Sequence, residues 1–255
     1  MTRSLDRAPR HRPAAGQLSA VIDQVIVVLP AHDERSRIGD AVASIHRARA
    51  MIDARVRSML VVVADTCSDD TAALARQLCG AGDLVLETTD RSVGTARRKG
   101  THAGLKRTNV EASNVWLANT DADSLVPDDW LTAQLDLARD GVVGVAGVVG
   151  LRDDEHADDR LRRRFDDAYL FTEDGGHHHV HGANLGVRAD AYLAAGGWSD
   201  LETGEDHDLW RRLSSGGPLV SSTAIRVATS PRSVGRAPAG FAVGLTELVN
   251  RVGVA

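Results

Sequence analysis

Apolar positions along this chain fall into two kinds of pattern, and the kinds alternate. Val25 to Leu29, Met59 to Val63 and the run from Val115 toward Asn119 are continuous apolar stretches of strand length, as expected of strands covered on both faces. Between them Ile38, Ala41, Val42, Ile45 and Ala48 recur every three or four residues, which predicts a helix from Ile38 to about Met51. Further helices are predicted from Asp69 to Leu78 and from Val93 to Lys106, with a short strand at Leu84 to Leu86. Strand and helix in alternation predict an α/β fold, a doubly wound and mostly parallel sheet flanked by helices.

Beyond Asp123 the pattern loosens. Pro127 opens a helix running to about Ala138, and Val142 to Val149 reads as a strand weakened by its glycines. A helix follows from Asp159 to Phe171, then an irregular Gly- and His-rich segment from Glu173 to Gly182. The chain then predicts a strand at Asn184 to Val187, helices at Ala189 to Ala195 and Asp206 to Ser214, and a strand at Ala224 to Ala228. Residues 1–20 carry no apolar run and are expected to be a disordered arm; 230–255 are expected to be a flexible tail. The domain between them, 21–229, divides into two halves, 21–125 and 126–229.

Composition narrows the class. A length of 255 residues with 43% apolar content supports one large domain, and a net charge of -5 argues against a nucleic-acid partner. Cys67 and Cys79 are too few for a disulfide framework and read as ordinary small buried residues in a reducing, cytoplasmic setting. No segment is long and apolar enough to predict a membrane span. The oligomeric state is open, a homodimer included.

Ligands of open α/β sheets bind beyond the carboxyl ends of the strands, so the loops leaving the predicted strands should converge. They are Pro30-Ala31-His32-Asp33-Glu34, Asp65 to Thr71, Gly94 to Gly100, and Asp121-Ala122-Asp123. A lone carboxylate at a strand end is ordinarily a helix N-cap; four loops in a row are harder to dismiss. Read as an extended continuation of its strand, Asp121 and Asp123 point the same way and can share a hard cation, Mg2+ or Mn2+. Glu34 and Asp65 suit a nucleobase or ribose hydroxyls, Arg97 suits a diphosphate, and Gly94 permits close backbone approach. Downstream, Glu205 and Asp206 open a helix whose N-terminus favours negative charge, so Asp206 can serve as a general base.

These motifs together resemble the family 2 glycosyltransferases of the nucleotide-sugar (GT-A) fold, over roughly residues 24 to 215. Pro30 to Glu34 is similar to the family's P-A-x-N-E, Ala64 to Asp69 to D-D-x-S-x-D, and Ala96 to Gly100 to A-R-N-x-G. Asp121 to Asp123 matches D-x-D, Gly204 to Leu209 matches G-E-D-x-D-L, and Gly196 to Asp200 its usual approach, G-G-[FW]-x-[DE]. The resemblance implies a metal-dependent, inverting transfer from a nucleoside-diphosphate sugar to an unidentified acceptor hydroxyl. It implies donor contacts from Pro30, Ala31, Asp33, Glu34, Asp65, Gly94, Arg97, Asp121, Ala122, Asp123, Gly182 and Asn184. Asp123 is implied as the main metal ligand beside Asp121, Asp206 as the base, and Glu205 as the residue orienting loop and acceptor. Asp33 stands in place of the family's Asn, Ala64 in place of its first Asp, and Arg98 in place of its Asn. No histidine beyond His207 offers a third metal ligand. A retaining transferase, a sugar-phosphate nucleotidyltransferase and a non-catalytic nucleotide-sugar binder remain as alternatives. His177, His178, His179 and His181 read as part of a flexible lid.

Overall fold

The computed structural model describes residues 21–152, Arg163 and residues 176–230. The arm 1–20, the tail beyond Ser230 and, apart from Arg163, the helix expected at Asp159 to Phe171 lie outside the described residues.

β1 (Gln24–Ala31) runs between β2 (Arg57–Asp65) and β4 (Val115–Asn119), parallel to both, and β3 (Leu84–Thr88) extends the parallel set beyond β2. All eight residues of β1 are buried, because layers cover both faces. Val25, Val27 and Leu29 enter one apolar cluster, with the stripe of α1 (Ile38–Ala50); Ile26 and Val28 enter the other. Ile38, Ala41, Val42, Ile45 and Ala48 are the expected buried stripe, and full burial of each large member contributes roughly 1.5–3 kcal/mol. α2 (Thr71–Leu78) follows β2.

α3 (Val93–Arg107) packs by another device. It has no wide apolar face; Gly100 and Gly104 let its backbone lie against Val28, Val63 and Ile26, where an added Cβ would come within 2.7–2.8 Å of those side chains. A polar helix is thereby held close to the sheet, and its N-terminus is fixed at the strand ends.

β5 (Ser124–Leu125) and α4 (Trp130–Arg139) lead to β6 (Gly144–Leu151). β7 (Leu185–Arg188), α5 (Ala189–Ala194), α6 (Glu205–Leu213) and β8 (Leu219–Thr229) complete the described chain. The eight strands form one sheet in the order β3-β2-β1-β4-β7-β6-β8-β5. β7 is antiparallel to β4 and β6, and β5 to β8. The expected strand at Ala224 to Ala228 is thus the end of an eleven-residue strand, whose polar first half, Ser221 to Thr223, masked it. A register shift at Gly147/Val148, opposite which β8 carries the extra residues Thr223 to Ile225, interrupts the β6–β8 ladder.

Candidate active site

The loops leaving β1, β2 and β3 are tied to one another by carboxylates that accept hydrogen bonds from backbone. Asp33 accepts from the amides of Ser68 (2.6 Å) and Asp69 (3.2 Å) and from the Ser68 hydroxyl. Asp69 accepts from Arg35 N (3.1 Å) and from Thr71 N and Oγ1, while Thr71 Oγ1 takes the amide of Glu34 at 2.8 Å. Asp65 joins the next pair of loops: it accepts from Thr66 Oγ1, Thr88 Oγ1 (2.9 Å), Asp90 N (2.8 Å) and Ser92 N (3.1 Å). Burial would raise the Asp65 carboxyl, yet these donors outweigh it and hold it below the usual carboxylate range. For Asp33 the Ser68 amide is the main cause of the same lowering. Asp33, Thr66 and Arg91 sit at positive φ (50°, 53° and 54°), one in each of these loops. Such backbone persists only where the surroundings enforce it, and it gathers at functional sites.

Asp121 and Asp123 lie in a turn, not in an extended strand. β4 stops at Asn119, and Ser124 N donates to the Asp121 carbonyl at 3.0 Å. The two side chains therefore diverge from the expected alternation. Asp123 is buried, with the Ser124 and Thr229 hydroxyls at 3.4 and 3.5 Å from Oδ1, and Asp121 turns toward α3.

There it meets Arg97. The guanidinium is 3% exposed, donates from one terminal nitrogen to Asp121 Oδ1 and from the other to Glu205 Oε1, both at 2.6 Å, and lies 5.1 Å from the Trp198 ring centre. Gly182 closes over it: a Cβ there would fall 2.4 Å from Cζ. Gly94 is pressed against Ser199 O and Glu205 in the same way. Burial disfavours the charge of Arg97, but Asp121 and Glu205 outweigh it. Burial likewise pushes the Glu205 carboxyl up, opposed by Arg97.

Asp206 follows Glu205 at the start of α6 and is gripped at both oxygens by backbone: Gly182 N donates to Oδ2 at 3.0 Å and His207 N to Oδ1 at 2.8 Å. Gly204, at φ 77°, lets the chain turn into the helix. Asp208 points away, to Ser199, Arg211 and Arg212. Beside Asp206 stand the stacked rings of His179 and His181, 5.9 Å apart and 10° from parallel. Burial lowers His177, His179 and His181 below the ordinary histidine value.

The expected site residues are thus divided by the structure. Asp33, Glu34, Asp65, Gly94, Arg97, Asp121, Asp123, Gly182, Glu205 and Asp206 lie at strand ends, in the loops that follow them, or in the first turns of helices. Four others are core. Pro30 and Ala31 are buried in β1, Ala122 is buried under the turn, and Asn184 is 1% exposed. Asn184 Oδ1 accepts from Trp130 Nε1 (2.9 Å) and Nδ2 donates to the carbonyls of Val148 (2.8 Å) and Ile225 (3.0 Å), so its side chain pins α4 to β6 and β8. Arg97, expected to face a diphosphate, is paired here with Asp121 and Glu205. The described part of the His-rich segment is docked: His177 is 4% exposed, its amide donates to Ser221 Oγ, and its ring Nε2 lies 3.2 Å from Ala146 O. Among the described residues, one group of three ligand atoms lies within metal-binding distance, Asp33, Cys67 and Asp69, and its two carboxylates already accept the hydrogen bonds above. Sequence reasoning missed Trp198 as the lid on Arg97, although it stands in the Gly196 to Asp200 motif, and missed Asp200, which receives the Ser92 and Thr95 hydroxyls.

The profile of the family described as glycosyltransferase-like family 2 matches residues 23–233. No curated protein matches the chain in sequence. In fold the chain is similar to the mannosyltransferase PcManGT from Pyrobaculum calidifontis, solved with GDP-Man and Mn2+ (TM-score 0.60, 17% identity, covering 89% of this chain and 62% of that one). It is also similar to S. aureus TarS 1-349 (0.58, 11%, 82% and 61%) and to the same protein with UDP-GlcNAc (0.60, 12%, 91% and 66%). The chain thus spans about three fifths of the first two. Among the described residues no helix is long and apolar enough to cross a membrane.

Proposed function

We propose that this chain, which belongs to the glycosyltransferase-like family 2, moves a sugar from a nucleoside diphosphate to an acceptor hydroxyl with inversion at the anomeric carbon. The observation that carries the reading is Asp206: a carboxylate at a helix start, oriented through both oxygens by backbone amides and joined through Gly182 and Arg97 to the Asp121 turn. Each oxygen keeps a lone pair, so Asp206 can take the proton of the acceptor hydroxyl as that oxygen attacks the anomeric carbon and the bond to the diphosphate breaks. One carboxylate in this position suits a single displacement, hence inversion.

The donor lies across the loops after β1, β2 and β4, with Asp33, Glu34 and Asp65 beneath the nucleoside. Asp65 Oδ1 accepts from Thr88 Oγ1 and Asp90 N and Oδ2 from Ser92 N, which turns the carboxylate along the floor of the crevice where a base would lie. Asp121 and Asp123 offer hard oxygen ligands on one turn, which fits Mg2+ or Mn2+; when bound, such an ion neutralises the charge of the leaving diphosphate. That two of the similar structures hold GDP-Man with Mn2+ and UDP-GlcNAc supports a purine or pyrimidine diphosphate donor without choosing between them. Two free cysteines, the Cys79 thiol pushed up to about 11 by burial, are in keeping with action on the cytoplasmic side.

A panel of uridine and guanosine diphosphate sugars, screened by thermal shift with Mn2+ and with EDTA, tests this. One class of donor should raise the melting temperature by mass action, and only with metal. An equal shift in EDTA counts against the metal; no shift with any donor counts against the reading as a whole.

A further inference from the structure

Arg97 is a charge without access to solvent, set between two carboxylates that belong to different steps of the reaction. Asp121 comes from the donor turn and Glu205 from the helix that carries the base. The pair is lopsided: the Asp121 side chain is 33% exposed and opens to the crevice, whereas the Glu205 side chain is 8% exposed. Asp121 uses only Oδ1 in this contact. Arg97 Nε is buried with no hydrogen-bond acceptor among the described residues, so the pocket is not built to satisfy a guanidinium for its own sake. What it provides is two outward N–H groups, one for each half of the site. A buried cation is costly unless its anions remain beside it, which makes the three groups interdependent.

We propose that Arg97 is a positioning residue that serves as the resident counter-charge of the donor site, holding the Asp121 carboxylate toward the base helix until that carboxylate is shared with the divalent cation of the donor. On donor binding the guanidinium keeps Glu205, and through the packing of Gly182 on its face it keeps the backbone amide that orients Asp206. Filling of the donor turn and placement of the base are then one event. The inference rests on the reading of that turn as the donor's metal site.

The test is Mn2+ titration of the full-length, nucleotide-free protein, read by the electron paramagnetic resonance signal of free Mn2+. Circular dichroism checks the fold of each variant. Because a positive charge beside a ligand carboxylate competes with a cation, Arg97→Gln should bind Mn2+ about 10-fold more tightly than wild type. Arg97→Lys keeps the charge and should stay within about threefold. A purely structural role predicts the reverse, a loosened turn and weaker Mn2+ binding. Should Arg97→Gln not fold, Glu205→Gln gives the opposite sign: it leaves Asp121 as the main anion of Arg97 and should weaken Mn2+ binding several-fold, on the order of 3- to 10-fold. Tighter binding in Arg97→Gln supports the inference, and unchanged or tighter binding in Glu205→Gln counts against it. Saturable Mn2+ binding that is lost in Asp123→Asn yet unchanged or weakened by Arg97→Gln overturns the inference alone. No saturable binding by wild type or by Arg97→Gln overturns the donor-site reading and the inference with it.

Discussion

The donor loops and the base segment are built on opposite principles. The loops after β1, β2 and β3 are braced by Asp33, Asp65 and Asp69, each accepting several hydrogen bonds from backbone amides and hydroxyls, some within its own loop and others from a neighbouring one. The proposed base segment hangs on one buried cation and two amides, with His181 beside Asp206. Redundant bracing tolerates loss of single contacts. A single buried charge does not, since removing one partner strands the rest. The contrast teaches that the proposed nucleoside platform is a braced surface, whereas the proposed base, Asp206, is positioned by a linkage running through Gly182 and Arg97.

The largest effect should come from the base. Asp206→Asn keeps the shape and the backbone contacts of Asp206 but cannot take a proton, so transfer should slow by roughly 100- to 10,000-fold with donor affinity nearly intact. Single-turnover transfer beside donor titration measures both; loss of donor binding instead would move Asp206 to the nucleotide side of the comparison. Next, Asp65→Ala removes the brace shared by the loops after β2 and β3 and leaves the Asp90 and Ser92 amides without their acceptor. It should cost about 2–4 kcal/mol in urea unfolding. A loss under about 0.5 kcal/mol would mean that the loops brace themselves without it.

Acid should separate the two regions in order. His177, His179 and His181 are held below their ordinary value of 6.5, so on acidification the unfolded chain takes up protons before the folded one does. Their stability is complete above that value and is lost as pH falls through and below it. Asp33, Asp65 and Asp69 are lowered from 3.8, so their contribution lasts until the pH falls below that. Hydrogen exchange at about pH 5.5 against about pH 7.5 should therefore show residues 176–184 losing protection while residues 31–36 keep theirs. Simultaneous loss would erase the distinction. The smallest effect belongs to Asp33→Asn. Asparagine tolerates positive φ and keeps an acceptor oxygen for Ser68, so stability should change by less than about 1 kcal/mol; a larger drop in the denaturation midpoint would show that the full charge is needed.

Much of the scaffold was legible in the chain for a simple reason: β1, β2 and β4 are covered on both faces and must be continuously apolar, and the buried stripe of α1 must repeat with the helix. The motifs lay where strand ends had to be. What escaped was decided by tertiary contacts. Arg97, Arg98 and Lys99 stand side by side on a polar helix, and nothing local says which enters the core; glycines at 100 and 104 let that helix approach, and Trp198 and Gly182, far away in sequence, close the pocket. The turn at Asp121 depends on β5 pairing with β8, over 100 positions away, and the core role of Asn184 depends on Trp130. Sequence placed the carboxylates at the crevice; only the fold revealed what they hold.

The indole of Trp198 makes the central linkage visible to light. Its ring faces the Arg97 guanidinium and is sealed from water, while Trp116 and Trp130 each donate to a side-chain oxygen elsewhere in the core. An indole's emission follows the charge lying against its face, so a shift of Arg97 between its two carboxylates should alter the emission of Trp198, at the junction of the proposed donor and base sites.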